Sequence, residues 1–357
     1  MVGALRAAAC RKNPRAFLAG LVSVFALRGV PHSPGDHRAC VDYRGTGVIG
    51  AEIARILLGK DGVKPVAFDL NPSAQRLGDS AKEVDILRGD LGTFSDVLHA
   101  VKATQPEVIY HLGGMLSLPA EANPPAALRA NVLGTFHVLE AARLFDVRRV
   151  LFASSLATYG LDLQTRVITE YTLQRPELFY GATKLFGEHL GRFYRRKYSL
   201  DFRGVRYPAI VGPGVKTPGV VQYNSWVIEE CAKGRPYTIQ ATPETAVPML
   251  YVKDAARALV QLGEAPRDAI RSVMYLVGGV TPTPSAREIA DLLHAKVPGA
   301  AITFRPDPAV QGVLDQLSLP VDDSRARTEW NWQPAYTLAE MVDDFLKELS
   351  LHPARYV

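Results

Sequence analysis

The chain has 357 residues, 47% of them apolar, enough to bury a sizeable core, which excludes a disordered chain. A formal charge of +5 would raise nucleic acid or an anionic membrane as partners, but residues 1–44 hold seven of the 41 Lys and Arg and two of the 36 Asp and Glu. That leaves 34 of each sign from residue 45 onward, so the body is neutral and neither partner is expected.

The first 44 residues form an atypical leader. "RKNPRAFLAGLVSVFALRG" (11–29) sets basic residues before an apolar run, as a signal peptide does, but no small-x-small cleavage site follows and the run is too short to span a membrane. Many Arg and Ala with few acids also fit a mitochondrial transit segment. A third reading is translation out of frame. "HRACVDYR" (37–44) is too polar for the central strand of a parallel sheet, and codons for Cys-Val-Asp-Tyr-Arg read one base later can spell Val-Leu-Ile-Thr-Gly. A natural divergent leader is the fourth. Two of the three cysteines, Cys10 and Cys40, lie here and only Cys231 lies in the body, so no disulfide framework is expected and a reducing, cytoplasmic setting is.

From residue 45 strand-like and helix-like segments alternate. Gly45, Gly47 and Gly50 stand at G-x-G-x-x-G spacing directly before "VIGAEIARILLG", whose apolar residues recur with helical period. In a doubly wound α/β fold such a turn lets the backbone approach a pyrophosphate at a helix N-terminus. "VKPVAFDL" (63–70) reads as the next strand. It ends in Asp69, whose carboxylate can accept both ribose hydroxyls and so favours NAD over NADP; the competing reading is a helix cap. "EVDILRGD" (83–90) is a third strand, with Asp90 placed either near an adenine or as a cap, and "EVIYHLGG" (107–114) a fourth. "ALRANVLGTFHVLEAARLF" is a long amphipathic helix, and "RRVLFASS" (148–155) the fifth strand. Strands this apolar are buried on both faces, so the expected fold class is α/β with a doubly wound, Rossmann-type parallel sheet.

"YGATK" (180–184) carries the strongest chemical signal. Tyr180 and Lys184 stand one helical turn apart on one face, and Ser155 closes the preceding strand. Tyrosine is a poor base at neutral pH unless a neighbouring cation favours phenolate, which Lys184 supplies. The set reads as a proton-transfer site: Tyr180 as acid/base, Lys184 as its modulator and a ribose ligand, Ser155 as the group that orients a substrate oxygen. "DFRGVRYPAIV" (201–211) is a sixth strand. Beyond it proline becomes frequent and a smaller substrate-binding region is expected over 212–357, after a Rossmann domain over 45–211. "YLVGG" (275–279) is expected to return a strand to the main sheet.

These motifs, in this order, resemble the extended short-chain dehydrogenase/reductases, the NAD-dependent epimerase/dehydratase family, over roughly residues 45–350. The resemblance implies that Ser155, Tyr180 and Lys184 are catalytic and that NAD is held by Gly45, Gly47, Ile49, Gly50, Asp69, Asp90, Leu91, Gly113, Asn131, Tyr180, Lys184 and Pro208, the last in the "RYP" segment over the nicotinamide. Within the family the chain is similar to the L-threonine 3-dehydrogenase-like members, through "MLSLPAEANPPAALRANVLGTFHVLEAAR" (115–143), "QRPELFYGATK" (174–184), "ETAVPMLYVKDAARA" (244–258) and "SLPVDDSRARTEWNW" (318–332). That similarity implies oxidation of a secondary alcohol of a small polar substrate, with Ser117 and Ser155 as substrate contacts beside Tyr180. It departs at "KTPGVVQYNSW" (216–226), where those enzymes have a Gly-rich segment with paired Thr, and at Ala246, where they have Arg, which leaves the substrate open. The alternatives are a nucleotide-sugar epimerase/dehydratase and a non-catalytic NAD(H)-binding sensor or scaffold. The resemblance also implies a homodimer built on the helices of 123–145 and 179–198. The eight scattered His and lone Cys231 suggest no metal site, and His111 reads as a core or cofactor-wall residue.

Overall fold

The computed structural model describes residues 46–356, together with the backbone of two short strands, β1 (Val24–Ala26) and β2 (Cys40–Asp42). The rest of the leader, Gly45 among it, lies outside the described residues. The glycine turn opens into α1 (Val48–Leu58), which buries Ile53, Ala54 and Leu57. β3 (Pro65–Asp69) is buried at all five positions, as a strand covered on both faces must be. Then come β4 (Asp85–Arg88), α2 (Phe94–Thr104) and β5 (Val108–His111), followed by the short α3 (Ser117–Ala122) and α4 (Pro124–Ala127). A π-helical turn over Leu128–Leu133 joins α4 to α5 (Gly134–Leu144). β6 (Arg149–Ser155) and α6 (Phe179–Tyr198) carry the expected chemical residues, and β7 (Asp201–Tyr207) is wholly buried.

The expected 201–211 strand divides at Pro208, which has no N–H to donate to a ladder. β7 stays in the main sheet, while β8 (Ala209–Val211) turns away toward the second half of the chain. That half contains α7 (Tyr223–Ala232), β9 (Tyr237–Ile239), β10 (Met249–Tyr251), α8 (Val252–Glu264), β11 (Met274–Leu276), α9 (Ala286–Lys296), β12 (Ile302–Phe304), α10 (Pro308–Leu317), α11 (Ser324–Trp330) and α12 (Leu338–Leu351). β10 pairs with β8 and β12 with β9, both parallel, over a second core that includes Val227, Ile228, Leu314 and Phe345. β11 runs back beside β7, the returning strand expected from "YLVGG".

One four-stranded sheet has the order β11-β7-β6-β5 and the other β2-β1-β3-β4. Every strand pairing from residue 63 onward is parallel. The departure is β1, antiparallel to both β2 and β3, so the strand leading to the glycine turn does not pair with β3 directly. β1 and β2 also lie against β5, and the two sheets meet there. The carboxyl ends of β5, β6 and β7 point to one side, which is where an open α/β sheet places its ligand crevice.

Candidate active site

At those carboxyl ends opens a cleft of about 310 Å³. Ser155, Tyr180 and Lys184 all line it, with Ile49 and Gly50 from the start of α1, Ser117 from α3, and Pro208. Tyr180 lies in the first turn of α6 and Lys184 one turn further, both buried. The Lys184 ammonium donates to the Ala153 carbonyl on β6 at 2.8 Å and stands 5.9 Å from the centre of the Tyr180 ring and 4.9 Å from that of Phe152. Ser155 is the N-cap of a single 3₁₀ turn, Leu156–Thr158, and its Oγ accepts from Ala157 N–H at 3.1 Å. A strand end thus fixes the hydroxyl and a helix fixes the phenol.

Asn131 lies outside the cleft wall but braces it. It sits in the π-helical turn, a distortion that often marks a functional position because it redirects one side chain. Its Oδ1 accepts from Met115 N–H at 2.7 Å, while Nδ2 donates to Met115 C=O at 3.0 Å and to Thr183 Oγ1 at 2.9 Å. Thr183 in turn donates to Tyr180 C=O at 2.7 Å. The segment after β5 is thereby tied to the turn of α6 that holds Tyr180. Gly114, at φ 143°, makes this approach possible, since a Cβ there would lie 2.7 Å from Asn131 Oδ1.

The other expected cofactor residues are spread along the strand ends. Gly47 is the N-cap of α1 without a side-chain cap, and the first turn of α1 carries no acid; together these leave a helix N-terminus suited to a phosphate group. Asp69 is buried; its carboxylate accepts from Thr46 Oγ1 at 2.5 Å and from Asn71 N–H at 2.9 Å. Asp90 accepts from Gly92 N–H at 2.8 Å. Each acid thus accepts an N–H two residues on in a local turn, but neither caps a helix, since Ala74 and Thr93 hold the N-cap places that follow them; sequence reasoning overlooked Thr46. The Leu91 side chain is fully buried and its carbonyl accepts from His137 Nδ1 at 2.6 Å. Gly113 is buried at the end of β5. His111 is a core residue, its Nε2 at 2.9 Å from Thr135 Oγ1; burial first, and the nearby Lys184 cation second, push its pKa well below the usual histidine value.

Sequence reading also missed a buried charge cluster behind the cleft. Glu188, two turns beyond Tyr180 on α6, accepts from Ser154 Oγ at 2.5 Å and from Arg206 of β7 through Nε at 3.0 Å and Nη2 at 2.7 Å. Arg206 also donates to Tyr159 OH at 2.7 Å and Gln174 Oε1 at 3.1 Å. The signal was present as three charges inside "DFRGVRYPAIV", Asp201, Arg203 and Arg206, since a charge in a buried strand requires a partner.

Fold and cleft together define an enzyme of the Rossmann-type NAD-dependent class. The pattern of the family described as NAD dependent epimerase/dehydratase matches residues 45–278, and the chain belongs to that family. It is 27% identical over 318 residues to the mitochondrial L-threonine 3-dehydrogenase of Bos taurus, covering 88% of this chain and 83% of that protein. Among solved structures, the holo form of a GalE-like L-threonine dehydrogenase from Cupriavidus necator superposes with a TM-score of 0.78 at 29% identity, covering 87% of this chain and 99% of that one. L-threonine dehydrogenase from Clostridium difficile gives 0.78 at 28% identity, with 88% and 97% covered. Among the described residues no helix is long and apolar enough to cross a membrane.

Proposed function

We propose that the chain is an L-threonine 3-dehydrogenase-like oxidoreductase that converts a secondary alcohol of a small polar substrate to a ketone. The observation that carries this reading is the convergence of Ser155, Tyr180 and Lys184 on one cleft. The cofactor, NAD, supplies the hydride acceptor when bound. Gly47, Gly50 and the N-terminus of α1 would hold its pyrophosphate, Asp69 its adenosine ribose, and Lys184 and Pro208 its nicotinamide end. Tyr180 takes the hydroxyl proton, and the Lys184 cation one turn away stabilises the phenolate that must exist for this. Ser155 orients the substrate oxygen. One carboxylate, Glu177, and one cation besides Lys184, Lys216, line the same cleft, which suits a substrate bearing both an ammonium and a carboxylate. No arginine lines it among the described residues, which disfavours a nucleotide-sugar substrate, whose diphosphate would need a cation beyond the helix N-terminus that serves NAD. Residues 45–211 act as the cofactor-binding domain and 212–357 mainly as the substrate-binding region. A homodimer through α5 and α6 and a cytoplasmic location complete the reading, the latter supported by Cys231, buried and unbridged among the described residues.

Tyr180→Phe tests it. Removing a positioned acid/base costs about 10²–10⁴ in rate. The variant should therefore lose NADH formation to at least that degree on an alcohol panel headed by L-threonine, with NAD affinity within a few-fold. A Phe variant that keeps most of its turnover removes Tyr180 from the chemistry.

A further inference from the structure

Between Thr158 and Phe179 the chain forms no helix or strand, an irregular connection of a length that folded domains seldom keep without a use. It covers the cleft: Tyr159, Leu161, Glu177 and Leu178 all line it. One backbone bridge anchors its middle, where Ile168 N–H donates to Pro320 C=O at 2.8 Å and Ile168 C=O accepts from Asp322 N–H at 2.9 Å; the two arms on either side are held by side-chain ties, among them an exposed Arg175–Asp162 ion pair. The outgoing arm passes the returning arm so closely that a Cβ on Gly160 would lie 2.5 Å from the Arg175 carbonyl. The two arms are tied by one buried guanidinium. Arg206 Nη1 donates to Tyr159 OH on the outgoing arm and Nη2 to Gln174 Oε1 on the returning arm.

We propose that Arg206 is a positioning residue for the alcohol site: it clamps both arms of the 159–178 segment over the cleft, with Glu188 as the counter-charge that allows the guanidinium to be buried there. Several features suit it to this task. Arg206 and Glu188 are both about 1% exposed, so their pairing is not weakened by water. The guanidinium is planar with five fixed donors, and here the fork is divided between Glu188, Tyr159 and Gln174. Tyr159 relays the constraint, since its hydroxyl donates to Thr169 C=O at 2.9 Å further along the same segment. Burial pushes that phenol up to about 12, so it remains a donor at neutral pH. Arg206 precedes Tyr207 and Pro208 on β7, and Glu188 also holds Ser154 beside Ser155. The clamp therefore refers the cover of the cleft to the same strands and helix that hold Ser155 and Tyr180.

The kinetic part of this inference rests on the oxidoreductase reading; the proteolytic part does not. Tyr159→Phe keeps the ring that lines the cleft but removes the hydroxyl shared by Arg206 and Thr169. Gln174→Leu releases the other arm. Each should raise KM for the alcohol roughly tenfold, a loss of the size expected when one buried hydrogen-bond partner is removed, with NAD dissociation unchanged within twofold and kcat lowered less than KM is raised. Arg206→Lys keeps the charge toward Glu188 but cannot reach both arms, and should cost more than either single change. Limited trypsin cleavage at Arg166, within the segment, should accelerate about tenfold in all three variants in the absence of any substrate, while cleavage elsewhere does not. If Arg206→Lys does not fold, the two milder variants carry the test. Unchanged cleavage at Arg166 in Tyr159→Phe and Gln174→Leu overturns the clamp whatever the activity. Altered cleavage with no alcohol oxidised by the unsubstituted protein would instead sink the oxidoreductase reading and leave the clamp standing.

Discussion

Asp69 and His111 are the two buried titratable residues whose single substitutions are most informative. Asp69 ends β3 where an adenosine ribose would lie, and its negative charge would repel the 2′-phosphate of NADP. Asp69→Asn should therefore narrow the preference for NAD over NADP by about tenfold or more, read from the two dissociation constants; an unchanged ratio would reduce Asp69 to a turn-former held by Thr46 and Asn71. His111 bears on stability. Its folded-state pKa is depressed by burial and by Lys184, so the unfolded chain binds a proton near pH 6.5 that the folded chain refuses. The stability conferred by keeping this histidine neutral is complete above pH 6.5 and is lost as pH falls below it. Urea unfolding between pH 6.5 and 5 should show the unsubstituted protein losing up to about 1.4 kcal/mol per pH unit more than His111→Gln. Parallel slopes would mean that the imidazole titrates normally.

At the scale of elements, α6 lies so close to its neighbours that glycines are required on its inner face. A Cβ at Gly181 would fall 1.9 Å from the Ala157 carbonyl, and one at Gly191 would fall 2.1 Å from the Phe202 ring. Both Gly→Ala changes should destabilise by about 1–3 kcal/mol through overpacking. Their catalytic effects should differ. Gly181 abuts the 3₁₀ turn capped by Ser155, so a helix displaced there moves Tyr180 away from Ser155, and a shift on the order of 1 Å costs about 10²-fold in rate. Gly191 meets the far end of β7, and its substitution should leave kcat/KM within about threefold. Equal rate losses in both would show that α6 moves as a rigid rod. The same contrast explains what the sequence made legible. Tyr180 and Lys184 could be read because their relation is local, one helical turn, and the strands could be read because burial on both faces leaves apolar runs. The Arg206–Glu188–Tyr159 cluster and the Thr46–Asp69 bond join residues 18 to 47 positions apart. No periodicity encodes such pairs; only the requirement that a buried charge be paired hints at them. The π-helical turn at Asn131 was hidden for another reason, since one extra residue in a turn leaves the amphipathic pattern of the flanking helix intact.

At the scale of the whole molecule, the outer faces of α5 and α6 carry, among the described residues, an exposed apolar set that a single copy leaves unexplained. α6 packs beside α5, where Tyr194 OH donates to Glu140 Oε2 at 2.8 Å. Around that seam Leu133, Phe136 and Leu144 on one side and Phe186, Phe193 and Tyr198 on the other are exposed, large and apolar. Scattered apolar residues need no account, but a contiguous set on two neighbouring helices does. A second copy meeting the first across a two-fold axis would bury both helices of each protomer in a four-helix interface, and each contact would count twice. Fully burying one phenylalanine side chain contributes about 1.5–3 kcal/mol, and Phe193 has 37% of its surface left to bury, so Phe193→Glu, which loses about 1–2 kcal/mol over both protomers and brings two carboxylates to the interface, should weaken association at least tenfold. Light scattering at micromolar concentration should give twice the 38.9 kDa chain mass for the unsubstituted protein and a single chain mass for Phe193→Glu. Because Phe193 lies more than three turns from Tyr180 along α6 and outside the cleft, the resulting monomer should bind NAD as before. An unsubstituted protein that is monomeric at these concentrations would leave the apolar seam to a partner of another kind.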